Sequence, residues 1–490
     1  MKVHRRLGAA ALVATLTAVA PVLVAAPAAA DPCSVFVTNG PQSRMAPQQA
    51  PQQRMLPQLP ILHLPIGRKP AEPGTVTTPD SAIMTPSAAL LPDDSGQPVP
   101  NPAVPQSVLP DDFTPDSIAR NVTEPAQPRA AAPAAATVDG EAQLVEWVTG
   151  ATGPGNVAPN NTYSRFGISG TDLGIMWDNG YSGTDRQLLM AFGDTFGNCG
   201  IPGQEWRSNV LFRTSDTDPA HGIAVPAAQF GNLKAGSPVN ANRPNFSKQI
   251  IDSLRLVNEV TIIPTAAISV GTTQYINFMS ISAWGQPGSW STNFSAIAVS
   301  NDNGENWTVP RSSIRPSMFF AVPGVFFMWG EQNFQQQAYV KSDGYVYAFG
   351  TTPGRGGSVF LSRVAENQIT DRWAYEYYTP FGWVRWFSFL AVQVVFDRTS
   401  ELSVAYSEHL GKFVMLYTNT FNNVVMRTAD KPEGPWSGTT TLVPAAGKGG
   451  IYAPYIHPWS PAITGEGNEL YFTMSQWSNY NVALMKAAVS

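Results

Sequence analysis

Short runs of apolar and β-branched residues, separated by turn residues, fill the chain from about residue 160 to its end. Examples are the segments GTTQYINFMSIS, SAIAVSNDNGENWTV, YVYAFGTT, GSVFLSRV, KFVMLYT and ELYFTMSQW. Helical periodicity is almost absent, and Gly, Asn and Asp recur between the runs at about every 8 to 12 residues. The pattern predicts an all-β protein, either a sandwich, a barrel or a propeller.

One turn favours the propeller. Ser300, Asp302, Gly304 and Trp307 match the Asp-box pattern S-x-D-x-G-x-x-W. In this turn the Ser and Asp side chains bond the backbone and the Trp packs beneath it, usually between the outer strands of a blade. Residues 427–438 repeat the order of strand, acidic turn and Trp.

Comparable turns divide the chain into segments near residues 165–225, 255–310, 320–378, 385–440 and 450–490. This division predicts a five-bladed β-propeller. The last segment is short, so we expect a strand from residues 143–149 to complete it and to close the ring. A β-sandwich is the alternative.

The first 140 residues differ in composition from the rest. Residues 1–30 combine a basic start, an apolar run and an Ala-Ala-Ala site, which is typical of a signal peptide; an uncleaved anchor is the alternative. Residues 31–140 hold about half of the 43 prolines and none of the 13 Trp or 15 Tyr residues. We therefore expect a proline-rich disordered tether at 31–140 and the propeller at 141–490.

Charge and composition limit the classes of molecule that the protein is expected to bind. The net charge is −5 and the globular part has no Lys/Arg-rich run, which argues against nucleic acid. Aromatic residues make up 11 % and charged residues 13 % of the chain, a balance that suits a neutral polyhydroxylated ligand. No phosphate-binding loop or zinc spacing occurs, so we expect no cofactor and no metal. We expect a secreted monomer without stable membrane insertion after signal cleavage.

Cys33 and Cys199 are the only cysteines. Because an exported chain meets an oxidising compartment, we expect a disulfide between them, and two free thiols are the alternative.

Two aspartates flank a predicted hairpin. If Gly183 lies at its centre, Asp172 and Asp194 are each eleven residues away and stand side by side at its open end. Like charges facing each other destabilise a sheet and push two pKa values apart, which is useful for acid and base catalysis. The alternative is that either aspartate merely caps a turn.

Further polar and aromatic side chains are candidates for binding substrate. Trp206, Arg207 and Asn209 begin a strand soon after Asp194, and His457 lies among aromatic residues. Arg207 and Asn209 share one face of that strand and suit sugar hydroxyls, although Arg207 also suits a structural ion pair. A structural role is the alternative for His457.

Other acids at strand starts or loops are Glu259, Glu331 and Glu401. Glu331 follows the apolar run FFMWG, so burial is expected to raise its pKa and to make it a candidate general acid facing the aspartates. A solvated loop carboxylate is the alternative.

The segments GTDLGIMWDNG, LLMAFGDTFG, WRSNVLFRTSD and ELYFTMSQW together resemble the secreted actinobacterial family known as domain of unknown function 4185. Members of that family are endo-D-arabinofuranases, which cut the α-linked D-arabinan of mycobacterial arabinogalactan and lipoarabinomannan. The resemblance implies a five-bladed propeller, and its TDLG and GDTF motifs place the catalytic carboxylates at Asp172 and Asp194. The long proline-rich tether departs from the minimal family pattern.

The first hypothesis is therefore a secreted glycoside hydrolase that cleaves cell-wall D-arabinan by two-carboxylate chemistry. The second is a non-catalytic propeller that binds cell-wall glycan or serves as a scaffold. A sialidase-like enzyme is a third hypothesis suggested by the Asp box, but a single Arg207 in the predicted site argues against it.

Overall fold

The computed structural model describes Cys33 and residues 115–150, 158–399 and 401–490. The predicted signal peptide and most of the predicted tether lie outside these residues. The short helices are α1 (Pro115–Arg120), α2 (Thr162–Phe166) and α3 (Pro461–Thr464). None of the helices in the described ranges is long and apolar enough to cross a membrane.

Strands dominate the described residues. The first twelve are β1 (Val122–Pro125), β2 (Gln143–Trp147), β3 (Gly170–Asp178), β4 (Leu188–Phe196), β5 (Val210–Thr214), β6 (Val239–Asn240), β7 (Arg243–Ser247), β8 (Thr261–Val270), β9 (Thr273–Trp284), β10 (Trp290–Ser300), β11 (Arg315–Pro316) and β12 (Gln336–Ser342). The others are β13 (Tyr345–Thr351), β14 (Gly357–Ala365), β15 (Glu376–Thr379), β16 (Gly382–Arg385), β17 (Gln393–Thr399), β18 (Leu402–Ser407), β19 (Lys412–Thr418), β20 (Val424–Ala429), β21 (Thr440–Val443), β22 (Ile451–Ile456), β23 (Glu469–Gln476) and β24 (Asn481–Ala488). The prediction of an all-β protein is confirmed.

The strands pair with their neighbours in sequence, as expected for short antiparallel hairpins. In chain order, the first sheet contains β3–β5, the second β8–β11, the third β12–β17 together with β1, the fourth β18–β21, and the fifth β22–β24 together with β2. Strands β6 and β7 form a separate ribbon.

The first strands of these sheets lie at the centre of the molecule. Strand β3 contacts β8, β8 contacts β12, β12 contacts β18, β18 contacts β22, and β22 contacts β3 again. This closed circle of contacts is a propeller-like arrangement and not a sandwich of two sheets. Apolar residues fill the space between neighbouring sheets: Leu189, Phe278 and Ala453, which come from three of them, lie in one buried cluster.

Strand β2 closes the circle. It pairs with β24, from Gln143 opposite Lys486 to Trp147 opposite Ala483. The prediction that residues 143–149 supply a strand to the last segment is thus confirmed. Closure joins the two ends of the globular part through a backbone ladder and covers the edge of β24.

The Asp box forms the expected turn between β10 and β11. Asp302 Oδ1 accepts hydrogen bonds from Ser300 Oγ at 2.7 Å and from the backbone N–H of Asn306 at 2.9 Å. The indole N–H of Trp307 donates to the carbonyl of Gly304 at 3.0 Å. The second predicted turn lies in the equivalent place, between β20 and β21.

The predicted division between the third and fourth segments is wrong. Strands β16 and β17 belong to the third sheet, which therefore continues to Thr399 instead of ending near residue 378. The strand-like pattern of these residues was correct, but β17 returns along β14, with Val395 opposite Val359. Long-range pairing of this kind has no local sequence signal.

The boundary predicted at residue 141 also needs correction. Strand β1 pairs with β16, and Val138 forms a bridge with Val489. The side chain of Thr440 donates a hydrogen bond to the carbonyl of Ala136 at 2.5 Å. Residues 122–126 and 136–139 are thus attached to the sheets, because backbone pairing compensates for their low content of large apolar side chains.

Cys33 and Cys199 form a disulfide, as predicted. Cys199 follows β4 by three residues, so the bond attaches the N-terminal region to the loop that leaves the hairpin carrying Asp194.

The packed N-terminal segment leads to a stability prediction. Removing residues 1–140 should lower the Tm by about 2 °C or more relative to removing residues 1–114, because only the longer deletion removes the β1–β16 ladder. Both proteins carry Cys199→Ser, so that they differ only in residues 115–140. Equal Tm values in differential scanning calorimetry would contradict a stabilising role for these residues.

Candidate active site

The N-terminal ends of the central strands meet at one end of the molecule. Asp172 is the third residue of β3, Thr261 is the first of β8, Glu401 immediately precedes β18, and Tyr452 is the second residue of β22. Side chains from different sheets touch here: Tyr452 contacts Asp172, and Thr261 contacts Asp194. Propeller sheets bring strand ends together around one axis, and we call this convergence of acidic and aromatic side chains the funnel.

The β3–β4 hairpin follows the predicted register. Trp177 lies opposite Leu189, and Thr171 lies opposite Thr195. Between these pairs the register shifts at Leu173, whose φ of 72° is in the left-handed region. This bulge lies directly beside Asp172, and bulges commonly re-aim a side chain near a functional site.

Asp172 is held from the fifth sheet. The hydroxyl of Tyr452 donates a hydrogen bond to Oδ2 at 3.0 Å. The other oxygen, Oδ1, is buried and has no hydrogen-bond partner among the described residues. A Cβ at Gly193 would lie 2.5 Å from Oδ1, so a larger residue at this position of β4 would displace the carboxyl group of Asp172.

Burial raises the pKa of Asp172 to about 8. The negative charge of Asp194 is the second cause, and the charge of Glu401 adds to it. The hydrogen bond from Tyr452 and the positive charge of Arg355 act in the opposite direction but do not compensate. Asp172 is therefore mainly protonated at neutral pH.

Asp194 is held from the second sheet and from the segment between β4 and β5. Thr261 Oγ1 donates to Oδ1 at 2.7 Å, and the indole N–H of Trp206 donates to the same oxygen at 3.0 Å. Burial raises the pKa of Asp194 to about 6, while the two hydrogen bonds lower it. Asp194 is therefore mainly ionised at neutral pH, and the two neighbouring carboxyl groups differ in charge.

An arginine and aromatic rings complete the funnel. Arg355 Nη2 donates to Glu401 Oε1 at 2.9 Å, and the guanidinium carbon lies 4.3 Å from the centre of the Tyr452 ring. Trp290 and Trp477 lie on other sides of the same guanidinium, each with its ring centre at 5.8 Å. Sequence reasoning did not find Arg355, because its turn, PGRGG, carries no motif and its partners come from other sheets.

Glu331 does not face the aspartates. Its side chain is fully buried, with Arg372 Nη1 at 3.2 Å and Arg315 Nη1 at 3.6 Å from its carboxylate oxygens. Burial raises its pKa, as predicted, but the two arginines lower it. Glu331 is a structural ion-pair residue in place of the predicted general acid.

Arg207 and Asn209 also have structural partners. The guanidinium of Arg207 donates to the carbonyls of Ser247 at 2.9 Å and Gly167 at 2.6 Å. Asn209 is completely buried and bonds the backbone of Ile251 through both ends of its amide. Neither side chain is available to the sugar hydroxyls for which it was predicted.

His457 is buried as well, and burial lowers its pKa to about 3. Its Nδ1 accepts a hydrogen bond from the backbone N–H of Trp459 at 3.1 Å, so the imidazole is neutral and fixes the turn before α3. The predicted sugar contact is therefore replaced by the structural alternative. Of the predicted binding residues, only Trp206 lies with the aspartates, and 40 % of it is exposed.

Fold and site define a propeller-like all-β protein whose central funnel holds a buried acidic pair. Residues 157–486 match the family described as domain of unknown function (DUF4185). Since the match covers more than half of the sequence, the chain belongs to this family. No group of three or more metal-ligating side chains occurs in the described part of the chain.

Two curated fungal proteins are similar in sequence. Notoamide biosynthesis cluster protein J' of Aspergillus versicolor is 28 % identical over 331 residues, which cover 64 % of this chain and 83 % of that protein. Notoamide biosynthesis cluster protein J of Aspergillus sp. (strain MF297-2) is 28 % identical over 337 residues, which cover 64 % of this chain and 81 % of that protein.

Among solved structures, the α-L-arabinofuranosidase PaAbf62A of Podospora anserina has a TM-score of 0.37 and 14 % identity, covering 71 % of this chain and 97 % of that chain. The α-L-arabinofuranosidase CtGH43 of Clostridium thermocellum has a TM-score of 0.34 and 15 % identity, covering 62 % of this chain and 82 % of that chain. Similarities of this size do not define the activity of the present chain.

The raised pKa of Asp172 predicts a stability gain when its charge is removed. A carboxyl with a higher pKa in the folded state binds fewer protons when unfolded, so its contribution to stability falls as pH rises from 3.8 to about 8. Asp172→Asn should therefore have a higher Tm than the unchanged protein above pH 8, and the difference should shrink towards about pH 4.

Thermal unfolding followed by circular dichroism across this pH range measures the difference. Asp185→Asn is a matched control, since Asp185 is an exposed residue at the opposite end of the same hairpin. A Tm difference for Asp172→Asn that stays constant with pH would contradict the raised pKa.

Proposed function

We propose that the protein is a secreted glycoside hydrolase with a five-bladed propeller fold, and that it cleaves α-linked D-arabinan. The proposal depends on one observation: Asp172 and Asp194 share one hairpin end but have pKa values of about 8 and about 6. Pairs of carboxyl groups whose environments separate their pKa values supply the acid and the base of glycoside hydrolysis.

The charge states assign the roles. Asp172 is protonated at neutral pH and donates its proton to the glycosidic oxygen as the bond from this oxygen to the anomeric carbon breaks. Asp194 is ionised and takes a proton from the water whose oxygen attacks the anomeric carbon. The two side chains bond to different neighbours, Tyr452 of the fifth sheet and Thr261 of the second, so each carboxyl group is oriented separately.

The walls of the funnel suit a neutral sugar. Exposed Trp206 offers a ring on which a sugar can stack, and half-buried Trp290 and Trp477 lie near Arg355. The net charge of −5 disfavours a polyanion. The resemblance of the TDLG and GDTF motifs to the endo-D-arabinofuranases supports D-arabinan as the particular glycan.

Secretion is part of the proposal. The apolar N-terminal run of residues 1–30 and the Cys33–Cys199 disulfide both fit a protein that folds outside the cytoplasm. A cell-envelope polysaccharide is then accessible to the enzyme.

Incubation of the purified protein with arabinogalactan should release arabinan fragments. Asp172→Asn and Asp194→Asn should each lower turnover by about a hundredfold or more, because an amide neither donates nor accepts the catalytic proton. Asp185→Asn should keep full turnover. A protein that binds arabinan but releases no fragments would favour the non-catalytic glycan-binding propeller.

A substrate with a good leaving group separates the two roles. On an aryl α-D-arabinofuranooligosaccharide, Asp172→Asn should recover most of its lost rate, since departure of a phenolate needs little proton donation. Asp194→Asn should remain inactive. Recovery by Asp194→Asn in place of Asp172→Asn would reverse the assignment of acid and base.

The same charge states predict a bell-shaped pH dependence of kcat/KM. Activity should rise as Asp194 ionises near pH 6 and fall as Asp172 loses its proton near pH 8. Initial rates with arabinogalactan across this range test the profile. A profile without an alkaline limb would contradict Asp172 as the acid.

A further inference from the structure

Arg355 connects several sheets above the acidic pair. It lies in the turn between β13 and β14 of the third sheet, and its backbone N–H donates to the carbonyl of Gly288, in the β9–β10 turn of the second sheet, at 2.7 Å. Its side chain reaches Glu401, at the start of the fourth sheet, and covers Tyr452 of the fifth. Arg355 thus joins the third sheet to the second, fourth and fifth.

The guanidinium is firmly oriented. Nη2 donates to Glu401 Oε1 at 2.9 Å, and Nε lies 3.2 Å from Oε2, so both carboxylate oxygens bind one edge of the planar group. The Glu401 side chain is 7 % exposed and that of Arg355 is 26 % exposed, which weakens solvent screening of the pair. Bidentate pairs of this kind fix orientation as well as charge.

The ring of Tyr452 connects the guanidinium of Arg355 to the carboxyl group of Asp172. The guanidinium lies 4.3 Å from the centre of the Tyr452 ring, a favourable cation–π distance. The hydroxyl of that ring donates to Asp172 Oδ2 at 3.0 Å. Glu401, Arg355, Tyr452 and Asp172 therefore form a continuous series of contacts.

We propose that Arg355 is a positioning residue for Asp172: anchored by Glu401, its guanidinium holds Tyr452 in the place from which the hydroxyl orients the carboxyl group. This inference rests on the proposed function of Asp172 and Asp194. It extends that function to residues that do not touch the reacting atoms.

The surroundings give the inference a distinctive signature. The charged and titratable groups that face Asp172 are Asp194, Glu401, Arg355, Tyr452, Tyr455 and Tyr480. Arg355 and the hydroxyl of Tyr452 lower the pKa of Asp172, whereas Asp194 and Glu401 raise it. Removing Arg355 should therefore raise the pKa of Asp172, and removing the charge of Glu401 should lower it.

The experiment compares Arg355→Met, Arg355→Lys and Glu401→Gln with the unchanged enzyme on arabinogalactan. Arg355→Met should lower kcat by about tenfold with a smaller change in KM, and should move the alkaline limb of the pH profile up by about one pH unit. Glu401→Gln should move that limb down. Arg355→Lys should keep the limb in place but still lower kcat, because an ammonium retains the charge without the planar fork.

Arg398→Met is the matched control. Arg398 is an exposed arginine near the same turn, and its guanidinium lies beside Gly356. The control should leave kcat and the pH profile unchanged. An alkaline limb that stays in place in both Arg355→Met and Glu401→Gln would overturn the inference, even if kcat falls, because a merely structural role reduces the folded fraction without moving the limb.

A second readout needs no turnover. The Tm difference between proteins with and without Asp172→Asn develops around a midpoint pH. This midpoint should rise when both proteins also carry Arg355→Met, and it should fall when both also carry Glu401→Gln. If the enzyme shows no activity on arabinan while this midpoint moves, the proposed function fails and the coupling of Arg355 to Asp172 stands. If activity is present and the midpoint does not move, the inference fails alone.

Discussion

Two carboxyl groups buried next to each other at one hairpin end repel each other when both are ionised, and the surroundings of Asp172 and Asp194 are organised around that repulsion. The repulsion is lowered because Asp172 stays protonated at neutral pH. Asp194 receives two hydrogen bonds on one oxygen and keeps its charge more easily, whereas Asp172 receives one and has a buried oxygen without a partner in the described structure. Burial raises the pKa of both groups, the charge of Asp194 raises that of Asp172 further, and the two hydrogen bonds keep that of Asp194 lower.

A single hairpin does not supply these partners, so the acidic pair depends on the closed arrangement of sheets. Thr261 comes from the second sheet and Tyr452 from the fifth, on either side of the hairpin. The fifth sheet is completed by β2, which precedes the hairpin in the chain and pairs with β24. The position of Tyr452, and with it the state of Asp172, is therefore connected to the strand that closes the ring.

The alternation of apolar residues and the turn residues predicted the features that depend on neighbouring residues in the sequence. The turn at Gly183 fixed the register that places Asp172 and Asp194 at one end, and the short last segment required the strand that β2 provides. The bulge at Leu173, the return of β17 along β14, and the contacts of Arg355 were not predicted. Each of these depends on residues far apart in sequence, which alternation and turn residues do not reveal.

Glu331 shows why burial alone is an insufficient guide to a catalytic acid. The apolar run before it correctly predicted a buried carboxyl group, and burial raises the pKa of both Glu331 and Asp172. The difference lies in the neighbours: two arginines surround Glu331, whereas another carboxylate stands beside Asp172. The arginines beside Glu331 oppose the rise in its pKa and bind its carboxylate, so Glu331 holds the structure together. The carboxylate beside Asp172 adds to the effect of burial, so Asp172 retains its proton at neutral pH and has a proton to donate.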